Sequence, residues 1–295
     1  MTPDLSVIGT GRMGSALVRA LLGRGYRTHV WNRTAARAEP LLALGAQAAA
    51  TVAAAADAAQ VVIVNVSDYA DSDRLLRTPA VEAALRGRLL VQLTSGSPGQ
   101  AREAAAWAGR HGIDYLDGAI MATPNFIGEP GGTILYSGPA ALFERHRPVF
   151  LALGGNAQHV GADAGHAAAL DAGLLVQMWG ALFGALHGVA VCEAEAVPLA
   201  TYQTHVGAFK PVVDLAVADV VDRIRHGRLA GDEATLATVS AHHGAFRQLL
   251  ELYRERGLDR TVPDAFDRVF RAAVAQGHAG DDFAVLSRFM PGGHS

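Results

Sequence analysis

Cysteine and charge are both scarce in this chain of 295 residues. A single cysteine, Cys192, excludes an internal disulfide framework and a cysteine-rich metal site. It lies in an apolar helical run, where a buried, inert thiol is expected. Charged residues make up only 18%, and the formal net charge of −3 offers no electrostatic footprint for nucleic acid or an anionic membrane. The opening MTPDLSVIGTG lacks a basic segment followed by an apolar one, so no secretory leader is expected and the chain reads as soluble and cytoplasmic. Long hydrophobic runs are scarce too. Only 172–191 (AGLLVQMWGALFGALHGVAV) approaches the ~20 residues that span a bilayer. Gln177, His187 and glycines suited to close helix packing make a buried core helix the better reading.

Half of the residues are hydrophobic, enough for a large core, and the length suits two domains of ~150 residues each. In the first half, short β-rich runs alternate with Ala/Arg-rich helical segments, the pattern of parallel βαβ units. Strands are expected at 5–8, 28–31, 61–65, 89–92, 114–119 and 133–137, with helices such as 13–24, 35–44 and 98–111 between them. The alternation stops around 151–160, and from Gly165 onward the chain reads as all-helical, with breaks near 227–231, 257–263 and 277–282. An α/β Rossmann domain over 1–163 and an all-α domain over 164–295 are expected, joined by a long interdomain helix. A helix of ~27 residues is roughly 40 Å long. This one is apolar around most of its circumference, and the remaining residues barely suffice to cover it. A homodimer with an intertwined helical domain is therefore expected.

Gly9-Thr10-Gly11-Arg12-Met13-Gly14 follows an apolar run and opens a helix. Gly9 permits the tight turn, Gly11 lets the backbone approach a pyrophosphate, and Gly14 lets helix and strand pack closely. The anion then faces free N–H groups at the positive end of the helix. A carboxylate ~20 residues after the glycines would bind a free ribose 2′-hydroxyl and repel a 2′-phosphate. At 32 − 11 = 21 positions on, this chain has neutral Asn32, followed by Arg33 and Thr34, with Arg37 as a further cation. Asn32 and Thr34 can hydrogen-bond a phosphate and Arg33 can clamp it bidentately, so NADPH is expected over NADH, although Arg33 could also be an ordinary surface arginine. The strand-end segments Asn65-Val66-Ser67-Asp68 and Leu93-Thr94-Ser95-Gly96-Ser97 should line the dinucleotide crevice. Ser67, Asp68 and Ser97 also suit helix N-caps, leaving Thr94 and Ser95 for nicotinamide-ribose contacts.

Together the glycine motif, WNRT at 31–34, QLTSGSP at 92–98, DGAIMATPNFIG at 117–128, ILYSG at 134–138 and GHAGDD at 277–282 resemble imine reductases and reductive aminases. That family lies within the β-hydroxyacid and 6-phosphogluconate dehydrogenase superfamily. The resemblance covers nearly the whole chain, and 117–138 is its most specific part. It implies a reciprocally swapped homodimer, with each active site between one subunit's Rossmann domain and the other's helices.

The dehydrogenase branch carries a catalytic lysine near the start of the long helix. The only lysine here is Lys210, far down the helical domain, and DAPVSGG of that branch is replaced by DGAIMATP. In the corresponding helix stands Asp171, the sole charged residue between Ala164 and Val191. An unpaired carboxylate in an apolar helix costs several kcal/mol, so it needs a partner, a proton or a role. A capping or interface salt bridge is one reading. The resemblance implies another, because R-selective imine reductases carry aspartate at this position. A carboxylate there can stabilise a cationic iminium or deliver a proton to the imine nitrogen. Trp179, 179 − 171 = 8 residues on, shares roughly the same helix face and stands where reductive aminases commonly have tyrosine; it could equally be a core aromatic. Ser95 matches their strand-end asparagine. Both departures favour reduction of a preformed imine over condensation of ketone with amine.

Met121, Ala122, Thr123 and Pro124 are expected over the nicotinamide, and Tyr202, Phe209, Val212, Val239, His242 and His243 as pocket candidates from the partner subunit. Adjacent histidines on a helix point ~100° apart and cannot chelate one ion together, so no metal site is expected. The reading is an NADPH-dependent imine reductase with a small-molecule imine substrate, giving the (R) product from small cyclic imines. A β-hydroxyacid-type dehydrogenase and a catalytically silent NADPH-binding protein are the alternatives.

Overall fold

The computed structural model describes residues 4–290. These divide into two compact units, one ending at Met178 and the other beginning at Trp179. The expected boundary at 163 falls between the last strand and the long helix, and the first unit also takes in the opening turns of that helix.

The first unit is built on an eight-stranded sheet of β1 (Leu5–Ile8), β2 (Thr28–Trp31), β3 (Gln47–Ala48), β4 (Val61–Val64), β5 (Leu89–Gln92), β6 (Asp114–Ile120), β7 (Thr133–Ser137) and β8 (Asn156–Gly161). The strand order is β3-β2-β1-β4-β5-β6-β7-β8. Its helices are α1 (Arg12–Gly23), α2 (Glu39–Leu42), α3 (Val52–Asp57), α4 (Tyr69–Leu76), α5 (Pro79–Leu85), α6 (Pro98–Arg110) and α7 (Ala140–Leu153). The central strands LSVI, VVIV and LLVQ are buried at every position, as a parallel sheet covered on both faces requires. Alternate residues feed two cores. Val7, Ile63, Val91, Leu17 and Phe150 pack on one face; Ile8, Val62, Val64, Leu90 and Trp107 pack on the other.

The structure corrects the sequence reading in three places. The alternation does not stop at 151–160, because Asn156–Gly161 forms β8 on the sheet edge, paired with β7 alone. NAQHVG is too polar to signal a strand. β6 and β7 run antiparallel, not parallel, joined through a 3-10 turn at Pro124–Phe126. The helix expected at 35–44 is split into a 3-10 turn, Ala35–Arg37, and the four-residue α2. Restarting at Glu39 puts Pro40 in a first turn, where its missing N–H leaves no hydrogen bond unmade.

The long helix, α8, runs from His166 to Ala194. The Ser137 hydroxyl anchors its start, donating to the Ala164 carbonyl at 2.7 Å and accepting the Ala167 N–H at 3.1 Å. The expected burial of 172–191 is not found within the chain: only Ala167 and Ala168 of α8 are buried, and Leu174, Val176, Leu182, Phe183 and Leu186 are exposed. By length and hydropathy α8 could cross a membrane.

The second unit adds α9 (Leu199–Arg225), α10 (Val239–Arg256), α11 (Thr261–Ala275) and a 3-10 segment, Phe283–Phe289. Val239, Phe270, Ala273, Val285 and Leu286 form its core. The Arg223 side chain is fully enclosed and paired with Asp219 at 3.0 Å, Asp232 at 3.0 Å and Asp282 at 3.3 Å. Those carboxylates hold its guanidinium above the usual arginine range, the hydrogen bonds to Asp232 foremost. A buried guanidinium is tolerable only with such partners.

Candidate active site

The strand order reverses direction between β1 and β4, and ligands of open α/β sheets bind beyond the strand ends at such a point. Gly9 turns the chain there with φ +98°, a conformation that L side chains rarely adopt. A Cβ on Gly9 would stand 2.2 Å from the Asn65 carbonyl oxygen, and one on Gly14 would stand 2.0 Å from the Gly9 oxygen. Around a Cβ on Gly11 there would be nothing within 4 Å. No side chain caps the first turn of α1 and no acidic residue enters it, so its N–H groups face open space. That is a cradle for an anion. Thr10 and Gly14 shape this turn from beneath, both buried, and the Thr10 hydroxyl has no hydrogen-bond partner.

A groove extends from this turn, lined by Gly9, Gly11, Arg12, Met13, Asn32, Arg33, Thr34, Arg37, Asn65, Val66 and Ser67 among the residues expected from the sequence. Asn32 lines the groove and also ties neighbouring backbone together. Its Oδ1 accepts the Thr10 N–H at 3.0 Å and its Nδ2 donates to the Thr34 carbonyl at 2.9 Å. Arg33 and Arg37 line the groove together with Arg12. Trp31, Asp71, Arg74 and Leu75 also line the groove and were not anticipated. The Arg74 hydrogen bond, then the Arg33 charge and Ser67, hold the Asp71 carboxyl below the usual carboxylate range. Of the three expected N-caps, Asp68 caps α4 and Ser97 caps α6 through a capping box. Ser67 caps neither and instead lines the groove.

Met13 and Asn65 are shared with a second cavity of about 180 Å³. Thr94, Ser95 and Gly96 from the end of β5 line it, with Asp117, Gly118, Ala119 and Ile120 from β6 and with Ala168 and Asp171 from α8. The ties between the strand ends are short. The Asn65 amide donates to the Leu93 carbonyl at 2.7 Å, and the Thr94 hydroxyl accepts the Val66 N–H at 3.0 Å. Asp171 lies one turn beyond the anchored Ala167, on the same helix face. Partial burial raises its carboxyl above the ordinary aspartate range. Asp117 is the carboxyl that motif reading missed. It is 2% exposed and accepts hydrogen bonds from the Tyr69 hydroxyl and, at 3.1 Å, the Tyr115 hydroxyl. Burial pushes it up to about 7 although both hydroxyls favour the ionised form.

Of the remaining expected pocket residues, Met121–Pro124 follow β6 in the first unit, and those expected from a partner subunit belong to the second unit. Met121, half-buried, packs on the Ala119–Leu135–Ala167 cluster beside the cavity, and Ala122, also half-buried, packs on the main core. Thr123 is exposed, with its hydroxyl 2.6 Å from Asn125 Oδ1, and Pro124 is exposed beside it. Val239 is fully buried in the core of the second unit and faces no cleft. Tyr202 donates its hydroxyl to the Ala185 carbonyl at 3.3 Å, while Trp179, Phe209 and Val212 are exposed. The adjacent histidines diverge: His242 meets the edge of Phe283, whereas His243 stacks on Phe270 with Nε2 2.8 Å from Asp267.

Residues 4–161 match the model of the NAD binding domain of 6-phosphogluconate dehydrogenase, and 163–291 match that of the NADPH-dependent reductive aminase-like C-terminal domain. A curated NADPH-dependent reductive aminase of Aspergillus oryzae is 31% identical, the match covering 98% of each chain. An imine reductase from Myxococcus stipitatus solved with NADP+ is 55% identical, with a TM-score of 0.92 over 98% of this chain and all of that one. An imine reductase from Aspergillus terreus solved with NADPH4 and dibenz[c,e]azepine is 30% identical, with a TM-score of 0.90 over 98% of this chain and all of that one. With this groove, this cavity and relatives matched from end to end, the chain belongs to the imine reductase and reductive aminase family.

Proposed function

We propose that the protein reduces C=N bonds of imines and iminium ions to amines with NADPH, and that Asp171 is its catalytic carboxyl. The observation that carries this is the placement of Asp171 in the cavity that continues the glycine-turn groove through Met13 and Asn65. The chain's own features fit the cofactor: an uncapped α1 N-terminus, open space above Gly11, and Arg33, Thr34 and Arg37 without a carboxylate at position 32. When bound, NADPH would supply the hydride, which alone turns an iminium ion into the amine, whereas a neutral imine also takes up one proton that solvent ultimately replaces. A protonated Asp171 can give its proton to a neutral imine nitrogen, to which its raised proton affinity suits it, and the carboxylate left behind stabilises the resulting cation until reduction neutralises it. Thr94, Ser95 and Gly96 wall the same cavity and bound the space left to the substrate carbon.

The 1–163 and 164–295 division is kept as the functional one. We further infer a homodimer in which the helical unit of a second copy, bearing Tyr202, Phe209, Val212 and His242, closes the cleft, with Trp179 on the Asp171 helix as a further wall. The exposed apolar faces of α8 and α9 support this reading.

The test is NADPH consumption with 2-methyl-1-pyrroline by wild type and Asp171→Ala. The variant should lose at least ~100-fold in kcat/KM, the scale of general acid–base contributions. Turnover within a few-fold of wild type would remove Asp171 from the mechanism, and a consistent (S) excess would overturn the expected (R) product. A wild type that binds NADPH yet reduces no member of an imine panel would favour a silent NADPH-binding protein.

A further inference from the structure

The cavity bearing Asp171 is shaped from behind by a buried polar cluster that no step of the reaction uses directly. Asp117 stands in β6 opposite Gln92 of β5. Its Oδ1 takes the hydroxyls of Tyr69 and Tyr115, which are themselves 3.4 Å apart. Tyr69 opens α4 and is 3% exposed. Its ring lies against the cavity wall: a Cβ on Gly96 would stand 2.3 Å from Tyr69 Cδ2 and 2.4 Å from Cε2. One turn along α4, Ser72 accepts the Gln92 amide at 2.7 Å, and Gln92 Oε1 accepts the Thr94 N–H at 3.2 Å. The buried face of α4 therefore holds the Thr94–Ser95–Gly96 turn twice, through Tyr69 under Gly96 and through Ser72–Gln92 at Thr94.

We propose that Asp117 is a positioning residue for hydride transfer: it locks the Tyr69 ring beneath Gly96 and so fixes the turn that walls the reacting end of the cleft. The physical argument is one of hydroxyl orientation. A phenol ring in an apolar layer can slide along its plane, and apolar packing is non-directional. One carboxylate oxygen accepting two hydroxyls holds both rings in register, and in a buried site such bonds are strong and leaving them unmade is costly. With no side chain of its own, Gly96 transmits any movement of the ring straight to the backbone beside Ser95.

The proposal rests on the reading of the cleft as an NADPH and imine site, and its test separates the two. Tyr69→Phe keeps the ring and removes the hydroxyl; Tyr115→Phe does the same on the other side; Asp117→Asn keeps an acceptor at Oδ1. Each is compared with wild type for kcat and KM with 2-methyl-1-pyrroline, the isotope effect with 4-deuterated NADPH, NADPH Kd by fluorescence, and melting temperature. A small loss of placement costs rate steeply, so Tyr69→Phe should lower kcat by ~10-fold or more, with NADPH Kd within about threefold of wild type. The isotope effect on kcat should rise as hydride transfer becomes slower, and Asp117→Asn should fall between Tyr69→Phe and wild type.

A folded Tyr69→Phe or Tyr115→Phe with wild-type kcat, KM and isotope effect would reduce the cluster to core packing. So would a lower kcat that merely follows the folded fraction, with KM and isotope effect unchanged. If wild type reduces no imine, the substrate reading fails, and the fluorescence anisotropy of bound NADPH still decides the positioning. A more mobile nicotinamide in Tyr69→Phe supports it, and identical anisotropy overturns it.

Discussion

Asn32 fastens the glycine turn to the end of the second strand, its Oδ1 taking the Thr10 N–H at 3.0 Å. Its Nδ2 gives one of its two N–H groups to the Thr34 carbonyl at 2.9 Å, so the side chain is a brace with one donor left for a ligand. Asn32→Asp keeps the acceptor for Thr10, loses the donor to Thr34 and sets a negative charge next to Arg33. The variant should bind NADPH at least ~10-fold more weakly relative to NADH, since one charge-assisted hydrogen bond is worth about 1.5–3 kcal/mol. Arg33→Ala should weaken NADPH similarly and leave NADH nearly unchanged. Fluorescence titration with both cofactors reads this directly, and an unaltered ratio of the two Kd values would show that Arg33 does not hold the phosphate.

The glycines separate local geometry from ligand contact. Gly14→Ala drives a methyl to 2.0 Å from the Gly9 carbonyl oxygen, so helix α1 must move and the melting temperature should fall along with cofactor affinity. Gly11→Ala meets no atom within 4 Å and sits at an ordinary φ of −64°. It should melt like wild type, yet bind NADPH ~10-fold or more weakly because its methyl occupies the pyrophosphate approach. Thermal unfolding without cofactor, paired with a binding titration, tests both. Wild-type affinity in Gly11→Ala would mean that the pyrophosphate does not lie over that residue.

These cases show what a sequence reveals and where it stops. The glycine turn and the Asn32–Arg33–Thr34 segment were legible because backbone freedom and charge at fixed spacing are local properties. β1 and β5 matched residue for residue because a strand buried on both faces is written as a mostly apolar run, and β2 and β7 matched because β-branched and aromatic residues mark them. β3 and β8 were not legible: two residues carry no period, and edge strands need no apolar face. Asp117 was overlooked because its meaning depends on Tyr69, 48 positions away. Val239, fully buried, was misplaced because sequence gives a residue's neighbourhood but not the direction of its side chain.

Asp117 also gives the protein a pH signature. Burial raises its pKa from the ordinary 3.8 to about 7, so the folded chain holds this proton more tightly than the unfolded chain does. Below the unfolded value the carboxyl is neutral in both states and costs nothing; as pH rises from about 4 to about 7, stability is progressively lost. A gap of about three pH units corresponds to about 4 kcal/mol, an order-of-magnitude figure. Asp117→Asn escapes this cost, so its melting temperature relative to wild type should climb between pH 4 and pH 8. An offset independent of pH would mean that the carboxyl ionises at its ordinary value in the folded chain.

The apolar faces of α8 and α9 set the last prediction. Leu186 is 63% exposed and Leu215 64%, in the company of Leu182, Phe183, Phe209 and Val221. Fully burying one such side chain is worth about 1.5–3 kcal/mol, so leaving this many in water is a cost that a second copy can relieve. Light scattering at micromolar concentration should therefore give the mass of two chains, about twice 30.8 kDa. Leu186→Glu and Leu215→Glu should shift the protein toward single chains. If a second copy closes the cleft, imine turnover should fall with the dimer fraction, whereas NADPH binding, which rests on the first unit, should weaken far less. A stable single chain with full turnover would show that the site is complete without a partner.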